Sequence, residues 1–421
     1  MILLFVTILS VALFLFNYSL NNELFYPPAL FTLLWSFILA ACVIFTWAHP
    51  GDVYFIDTSS LVVFLTGEIL FTAGGLLALN RTSKSAPVQH KPTIRYSLDK
   101  YLFAVLLVVL PYYLYKINTI INASSIKDGS IFIILRYELS IEQVDIGPVK
   151  YINSVALFAF GVLLYRFGFT GQQSFSLKEK IYKYTFYALV FTYAVLSSGR
   201  TYLLFLLCMY VGSKAIQQRI RFYHYLAMLV LVLVVFAAFA TLLNKGGNAD
   251  LSFGENIASI AETIVVYLLG GVYAFNSVMQ AGFTLDYGEN TFRFFIALFN
   301  SAGLTGVKPK ELVMDFVNTP VWSNVYAVYY PYIKDFWYFG LLFMLLFGFV
   351  HTWLYCKAKQ GFGWFFGYVV LLYPLIMSFF QDQYVSLLST WLQLFVFACI
   401  ARFFIRYNPA VNVSAKEMIV E

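Results

Sequence analysis

An arginine lies inside an otherwise uncharged stretch of the chain. Arg200 stands in LSSGRTYLLF (196–205), within a mostly apolar run from about Tyr184 to Gly212. A guanidinium is always charged and presents its N–H donors in a planar fork that matches phosphate oxygens. Arg200 is therefore a candidate ligand for a lipid-borne phosphate. The alternative is that it snorkels to the outer headgroups or pairs with an acid such as Glu68.

Basic residues on both sides of this run favour a hairpin over a single crossing, because Lys and Arg collect in cytoplasmic connections. The turn is predicted at Ser197-Ser198-Gly199, where glycine allows a tight reversal and serine can bond freed backbone groups. Arms of about 15 residues measure about 22 Å, less than a hydrocarbon core of about 30 Å. We therefore expect Arg200 below the outer boundary, beside the N-terminal amides of the second arm. The flanking residues are Lys178, Lys180, Lys183, Lys214, Arg219 and Arg221.

Further cations stand in two segments that are predicted to lie outside the membrane. If they meet Arg200, they form a larger site for phosphate oxygens. The cations are Arg136 in the connection 124–148, and Lys245 and Arg293 in the long segment 244–331.

Aromatic residues precede the span that is predicted to begin at residue 332. Rings at a span entrance commonly form an interfacial belt. The alternative is sugar recognition, in which Tyr326 and Tyr330 stack on sugar rings while Asn324 and Asp335 hydrogen-bond sugar hydroxyls. The segment VWSNVYAVYYPYIKDFW (321–337) contains Tyr326, Tyr329, Tyr330, Tyr332 and Trp337.

The composition places the chain in a lipid environment. Hydrophobic residues make up 61% and charged residues 11% of its 421 positions, which leaves too little polar surface for a soluble domain. We predict an all-α, polytopic integral membrane protein with about eleven transmembrane helices, so that 1–421 is one membrane domain. The predicted spans are 2–20, 25–47, 59–79, 100–118, 149–168, 184–198, 200–213, 222–243, 332–356, 362–380 and 386–405.

Positive charge determines the predicted orientation, because basic connections face the cytoplasm. The turn 21–24 has no positive charge, so the first hairpin is the least constrained part of the topology. The net charge of +6 reflects the basic cytoplasmic face, and we infer no nucleic-acid partner from it. The predicted outer connections are 48–58, 119–148, 381–385 and the large outer loop 244–331, which contains short helices; the tail 406–421 is cytoplasmic.

Cysteine and histidine patterns predict neither a disulfide framework nor a metal centre. Cys42, Cys208, Cys356 and Cys399 fall within or at the ends of predicted spans. No two of the four histidines have the i, i+4 spacing of a helical metal site. We therefore expect no cofactor.

One stretch of the external segment has helical periodicity. In ENIASIAETIVVYLLGGVYAFNSVM (255–279), apolar residues recur at helical spacing, and Glu255, Asn256 and Glu262 occupy the first third. We expect a half-buried or interfacial helix rather than a full span. A twelfth, re-entrant membrane segment is the alternative.

Short motifs occur in the order and spacing of a known enzyme family. SSGRTYLL (197–204), YLLGGVYAFN (267–276), GENTF (288–292) and NVYAVYYPYIKDFWYFG (324–340) together resemble the O-antigen (oligosaccharide repeat-unit) polymerases of the Wzy type. The resemblance covers roughly residues 100 to 400, and the SGR element is its strongest part.

The resemblance implies a bacterial inner-membrane glycosyltransferase with a GT-C-like helical fold that acts on the periplasmic side. Such enzymes move a growing glycan from undecaprenyl diphosphate onto the non-reducing end of a new lipid-linked repeat unit. Arg200 is the best match to the expected diphosphate ligands, with Arg136, Arg293 and Lys245 as further candidates. Membrane lipids and a chain-length regulator protein are further expected partners.

The reaction implied by this resemblance needs cations and a proton acceptor. Departure of a diphosphate concentrates negative charge on oxygen, which fixed guanidinium groups stabilise. The acceptor hydroxyl must also lose a proton, for which an external carboxylate is suited. Glu289 and Asp335 are the candidate catalytic residues, because each lies near aromatic residues and a membrane boundary. The alternative is that they solvate the loop or pair with Arg293 and Lys334.

Two other functions are compatible with parts of the sequence. An O-antigen ligase would use the same donor, and an outer-loop histidine would indicate it, but 244–331 contains none. A flippase or transporter of lipid-linked oligosaccharides would have Arg200 and Glu68 along a translocation path. Such folds often contain internal repeats, and none is evident in this chain.

Overall fold

The computed structural model describes residues 1–49, 55–82, 92–94, 97–126, 131–142, 144–169, 175–197, 200–217, 253–311, 314–319 and 321–407. Helices dominate these ranges. They are α1 Ile2–Asn21, α2 Pro27–Ala48, α3 Thr58–Thr82, α4 Ser97–Ala123, α5 Ile131–Arg136, α6 Ile152–Phe169, α7 Leu177–Leu196, α8 Arg200–Gln217, α9 Phe253–Ala281, α10 Arg293–Ser301, α11 Tyr330–Phe336, α12 Leu342–Lys357, α13 Phe362–Ile376 and α14 Leu388–Ala401.

Seven stretches of the described residues are long and apolar enough to cross a membrane, which confirms the helical, multi-pass class. They are Ile2–Asn21, Pro27–Ala48, Thr58–Thr82, Leu98–Ala123, Gly147–Gly168, Tyr330–Gln360 and Phe362–Phe379. Shorter apolar helices occupy Thr201–Gln217, Val265–Ala281 and Leu388–Ala401. The predicted span 222–243 lies outside the described residues, so the total of eleven remains a prediction.

Four three-residue strands accompany the helices and leave the predicted all-α class in place. β1 Pro92–Ile94 pairs antiparallel with β4 Ile405–Tyr407, and β2 Val317–Thr319 pairs antiparallel with β3 Val321–Ser323. Backbone groups outside helices need partners, and a short ribbon supplies them. The β1–β4 ribbon joins two segments that the charge pattern predicts to be cytoplasmic, in agreement with that orientation.

A buried ion pair joins three helices at the end of the bundle that carries the basic connections. Arg166 of α6 donates to the carboxylate of Asp99 in α4, and Tyr182 of α7 donates to the same carboxylate at 2.9 Å. The Arg166 side chain is 10% exposed and that of Asp99 is fully buried. Because a buried charge without a partner is costly, this contact holds α4, α6 and α7 together.

The helices follow the predicted hairpin pattern around Arg200. α7 ends at Leu196, α8 begins at Arg200, and the two helices pack against each other. They have 20 and 18 residues, or about 30 and 27 Å, so the predicted arms of about 15 residues are too short. The helices are longer than predicted because each continues into its basic flank: α7 includes Lys183, and α8 includes Lys214.

The expected interfacial helix is in part a core helix. α9 has 29 residues, and Leu269–Asn276 are all buried. A Cβ atom on Gly271 would lie 2.5 Å from the carbonyl oxygens of both Phe379 and Phe380. Of the two predicted options, the half-buried helix fits this half of α9 and the interfacial helix does not, because the missing side chain lets its backbone lie directly against the segment that follows α13.

Asn276 connects α9 to the start of α3. Its Oδ1 accepts hydrogen bonds from the Asp57 backbone N–H at 2.8 Å and from Ser60 Oγ at 3.0 Å. Its Nδ2 donates to the Phe55 carbonyl oxygen at 3.0 Å. These contacts satisfy backbone groups where a helix begins and intrahelical partners are missing. The last residue of the YLLGGVYAFN motif is therefore a packing residue.

Glu68 lies among α1, α2 and α3 rather than at the hairpin. It is fully buried, and Ser10 Oγ, which is 2.8 Å from Ser36 Oγ, donates to its carboxylate at 2.7 Å. Ser10 is thus a hydrogen-bond partner of the Glu68 carboxylate. This contact gives no support to the alternative in which Glu68 pairs with Arg200.

We predict that Gly271→Ala destabilises the protein, because the added methyl group would overlap two backbone carbonyl oxygens. Overpacking of this kind costs about 1–3 kcal/mol, which is measurable as a lower melting temperature of the detergent-purified protein. Gly363→Ala is the matched control, since a Cβ atom at Gly363 meets no atom within 4 Å. Equal melting temperatures of the two variants would contradict the close backbone contact.

Candidate functional site

Three segments meet at one cleft, at the end of α13 opposite Lys357 and Lys359. They are the stretch that leads into α10, the stretch that leads into α11, and the connection 380–387 between α13 and α14. Two backbone hydrogen bonds anchor the stretch before α11 to α9 and to the residues just before the 380–387 connection. Ala327 N donates to the Gly271 carbonyl oxygen at 3.0 Å, and Val328 N donates to that of Ser378 at 2.8 Å.

Asp335 is buried and organises the turn before α10. Only 1% of the residue is exposed. Its carboxylate accepts hydrogen bonds from the Thr291 backbone N–H at 2.6 Å, from Asn290 Nδ2 at 2.7 Å and from the Asn290 backbone N–H at 3.3 Å. Both oxygens are engaged by residues of the GENTF motif, and Asp335 is not a lining residue of the cleft. Its geometry therefore suits a positioning role.

Lys310 joins two acids beside this turn. Its Nζ forms an ion pair with Asp286 and lies 3.4 Å from Glu289 Oε2. Lys334 Nζ lies 3.9 Å from Asp286. Burial acts to raise the pKa of Asp286, but the hydrogen bond from Lys310 and the charges of both lysines hold it below its ordinary value. Glu289 is half exposed and therefore available to solvent on the rim of the site.

Arg293 is the first residue of α10 and lines the cleft. Its Nε donates to the carbonyl oxygen of Lys310, a contact that uses one of the five N–H donors of a guanidinium. Burial lowers the pKa of Arg293, because protein surroundings solvate the cation less well than water does. An anion bound in the cleft would restore that lost solvation.

Asp382 is a buried acid that the sequence analysis did not single out. Tyr332 Oη donates to it at 2.8 Å, and the backbone N–H groups of Tyr384, Val385 and Ser386 donate at 3.2, 3.1 and 3.3 Å. Burial raises the pKa of Asp382 to about 6, although these hydrogen bonds act to lower it. A carboxylate with this pKa can accept a proton near neutral pH. In the sequence, QDQY (381–384) looks like any polar turn between two spans.

The cleft brings cations and a buried carboxylate together in a small space. Its volume is about 40 Å³, and Arg293, Lys310, Asp382 and Tyr326 are among its lining residues. At about 30 Å³ for each water molecule, it holds one or two waters and no sugar ring. Within the ranges that the structure describes, no three His, Cys, Asp or Glu residues form a group that could hold a metal ion.

Two rings of the aromatic segment are core residues. Tyr329 is fully buried, its ring centroid lies 5.0 Å from that of Trp35, and a Cβ atom on Gly67 would overlap its ring. Tyr332 is also fully buried, with its ring stacked on Phe343 at 4.8 Å. The expected interfacial belt is wrong for these two tyrosines, because they pack between helices and do not face lipid headgroups.

The candidate sugar-binding tyrosines form a pair at the edge of the cleft. Their ring centroids lie 4.5 Å apart, and the Tyr326 hydroxyl donates to the Asp315 carbonyl oxygen at 3.0 Å. Tyr326 is 4% exposed and Tyr330 is half-buried. Asn324 is half-buried in the segment before them and is not a lining residue of the cleft.

The remaining candidate cations are not brought to the cleft by described contacts. Arg136 is half-buried in α5, which packs against α4, and it does not line the cleft. Arg200 begins α8, but its side chain is not among those described, and Lys245 lies outside the described residues. Thr201 hydrogen-bonds Tyr373 near the last turn of α13, so α8 begins at the same end of the bundle as the cleft.

We predict that Asp335→Asn lowers the melting temperature, because an amide keeps one acceptor oxygen and turns an N–H₂ group toward N–H donors. A buried donor without a partner costs about 1–3 kcal/mol. Asp315→Asn is the control, since Asp315 is exposed. An unchanged melting temperature of Asp335→Asn together with lost activity would instead support proton transfer by Asp335.

Comparison with known proteins finds a similar membrane enzyme. A curated protein of Shigella dysenteriae, an O-antigen polymerase, is 30% identical to this chain over 223 residues. The match covers 52% of this chain and 56% of that protein, so the chain spans about half the length of the relative that it matches. No family model matches the chain, and no solved structure matches it. The chain is thus a multi-pass membrane protein similar to an O-antigen polymerase.

Proposed function

We propose that this protein is an O-antigen polymerase, a glycosyltransferase that joins lipid-linked oligosaccharide repeat units. The similarity to the Shigella polymerase over half the chain carries the proposal. The growing glycan moves from undecaprenyl diphosphate to the non-reducing end of a new lipid-linked unit. The protein works in the bacterial inner membrane with its site on the periplasmic face, in a GT-C-like arrangement of about eleven spans, and a chain-length regulator is a further partner.

Cations hold the diphosphate in this proposal. Arg293 and Lys310 line the cleft, and Arg293 Nε donates to the Lys310 carbonyl oxygen, so the guanidinium is held in place before the substrate arrives. Fixed cations in a poorly solvated site stabilise charge that develops on a leaving oxygen. Arg200 joins them from the start of α8, which Thr201 and Tyr373 hold at the same end of the bundle. Arg136 and Lys245 are further candidates for the same diphosphate.

Asp382 accepts the proton of the acceptor hydroxyl. The acceptor oxygen forms a bond to the anomeric carbon of the donor glycan while the bond from that carbon to the diphosphate breaks. The electron pair of the broken bond leaves with the diphosphate oxygen, and the hydroxyl proton passes to the carboxylate. Burial of Asp382 in the same cleft as the cations, with its pKa raised to about 6, supports this role over Asp335. Glu289 serves as a second acid that orients Lys310.

The sugar rings bind at the rim of the cleft. The cleft holds only one or two waters, so the sugar rings bind outside it. Tyr330, which packs on Tyr326, offers a ring for stacking at the edge, and Asn324 offers an amide in the preceding segment. Asp335 keeps residues 290 and 291, and therefore the start of α10, in place beside the cleft.

The function is tested by deleting the gene in its native strain and examining the surface polysaccharide. A polymerase leaves single repeat units on the lipid A core and no long chains. Loss of every unit from the core would indicate a ligase, and loss of periplasmic lipid-linked units would indicate a flippase; either result contradicts the proposal.

In the deletion strain, we predict that plasmid-borne Arg293→Gln restores about one hundredth or less of the long-chain polysaccharide, because loss of one fixed donor to developing charge costs about 100-fold or more in rate.

Arg200→Ala is expected to abolish chain extension while the protein still inserts and accumulates. Lys308→Gln removes a charge from an exposed residue of the same loop and is the control. Full-length polysaccharide from Arg200→Ala or Arg293→Gln would rule out the diphosphate role of that residue.

We predict that the polymerisation rate in membranes rises as pH increases through about 6, because Asp382 must be deprotonated to accept a proton. Tyr332→Phe removes a hydrogen bond that favours the charged carboxylate, so the pKa rises and the midpoint of the pH profile moves to higher pH. Tyr329→Phe is the matched control, since its hydroxyl contacts the Phe64 carbonyl oxygen at 3.4 Å. Identical midpoints for Tyr332→Phe and the parent protein would exclude Asp382 as the titrating group.

A further inference from the structure

An apolar groove lies between α12, α13 and α14, away from the cleft. Its volume is about 990 Å³, and Trp353, Trp364, Phe395 and Cys399 are among its lining residues. Gly363 contributes no side chain to the groove, and a Cβ atom there would meet no atom within 4 Å. The groove is therefore large enough for a hydrocarbon chain and open along the helix surface.

The length of the groove matches one leaflet of a bilayer. Along α14 it extends from Trp391 to Arg402, which is about 16 Å at the rise of an α-helix. One half of a hydrocarbon core measures about 15 Å. An acyl chain that follows the groove would thus have its headgroup at one end and its methyl terminus near the bilayer midplane.

Positive charge marks the headgroup end. Arg402 lines the groove and is exposed. Lys357 Nζ lies 4.6 Å from the ring centroid of Trp353 and 4.9 Å from that of Trp364, both of which line the groove. No acidic side chain of the described residues lines it. Basic pockets between transmembrane helices on the cytoplasmic side bind anionic lipid headgroups.

We propose that this groove binds an anionic phospholipid of the cytoplasmic leaflet, with an acyl chain along α14 and the phosphate between Arg402 and Lys357. The polarity of the groove argues against the polyprenyl-diphosphate substrate as its occupant. The substrate diphosphate binds at the other end of the bundle in the proposed function. The groove stops short of that end: its inner limit is Trp391, whose indole donates to the Gln383 and Tyr384 carbonyl oxygens at 3.1 and 2.9 Å.

Native mass spectrometry of the full chain tests this site. The detergent-purified protein is mixed with equal amounts of phosphatidylglycerol and phosphatidylethanolamine, and the retained adducts are counted. We expect preferential retention of phosphatidylglycerol. Arg402→Gln should weaken that retention about fivefold, as expected for one cation near a lipid phosphate. Gly363→Leu should reduce the retention of both lipids, because the new side chain occupies the groove.

Matched controls separate this site from nonspecific lipid binding. Arg81→Gln removes the same charge from the end of α3, where Arg81 is exposed and does not line the groove, and Gly306→Leu makes the same change in the outer loop, where a Cβ atom also meets open space. Neither should alter retention. Equal retention of the two lipids, or equal effects of Arg402→Gln and Arg81→Gln, would overturn the proposal. Displacement of phosphatidylglycerol by added polyprenyl diphosphate, with the same dependence on Arg402, would assign the groove to the substrate instead.

Discussion

The structure depends on a close contact between the backbones of three segments that are far apart in the chain. Gly271 of α9 lies against the carbonyl groups of Phe379 and Phe380, and its own carbonyl accepts from Ala327. Irregular backbone at a membrane boundary is tolerated only where its polar groups have partners. Ala327 N finds its partner in the Gly271 carbonyl and Val328 N in the Ser378 carbonyl, so the cleft is built where helices are interrupted and the backbone groups are paired between segments.

Two buried carboxylates extend this arrangement to the site. Asp335 binds the amides of residues 290 and 291, and Asp382 binds three consecutive amides before α14 and the hydroxyl of Tyr332. Both carboxylates accept the hydrogen bonds that these backbone N–H groups would otherwise donate within a helix. They differ in what surrounds them, since only Asp382 lines the cleft with Arg293 and Lys310. The same residue type thus positions backbone groups in one place and, in the proposed mechanism, accepts a proton in the other.

Polar chemistry is separated between the two ends of the bundle. One end has the buried Arg166–Asp99 pair, the β1–β4 ribbon and the basic mouth of the groove at Arg402. The other end has the acids Asp286, Glu289 and Asp382 beside fewer cations. A glycosyl transfer that releases a diphosphate needs few but fixed cations and a carboxylate, which agrees with the composition of the second end.

The sequence alone determined the membrane class and the helix break before Arg200, and it predicted short helices in the 244–331 segment. These features depend on hydrophobic length, on charge at helix ends and on glycine, all of which are local properties. The same local reasoning predicted Arg293, as a cation, and Tyr326 and Tyr330, as aromatic rings, near a membrane boundary. Only the tertiary structure decided which residues meet. In the folded chain, Tyr329 and Tyr332 are core residues, and both oxygens of Asp335 accept hydrogen bonds. Asp382 reaches the cleft from about 90 residues away along the chain. Such contacts arise from helix packing and leave no local pattern in the sequence.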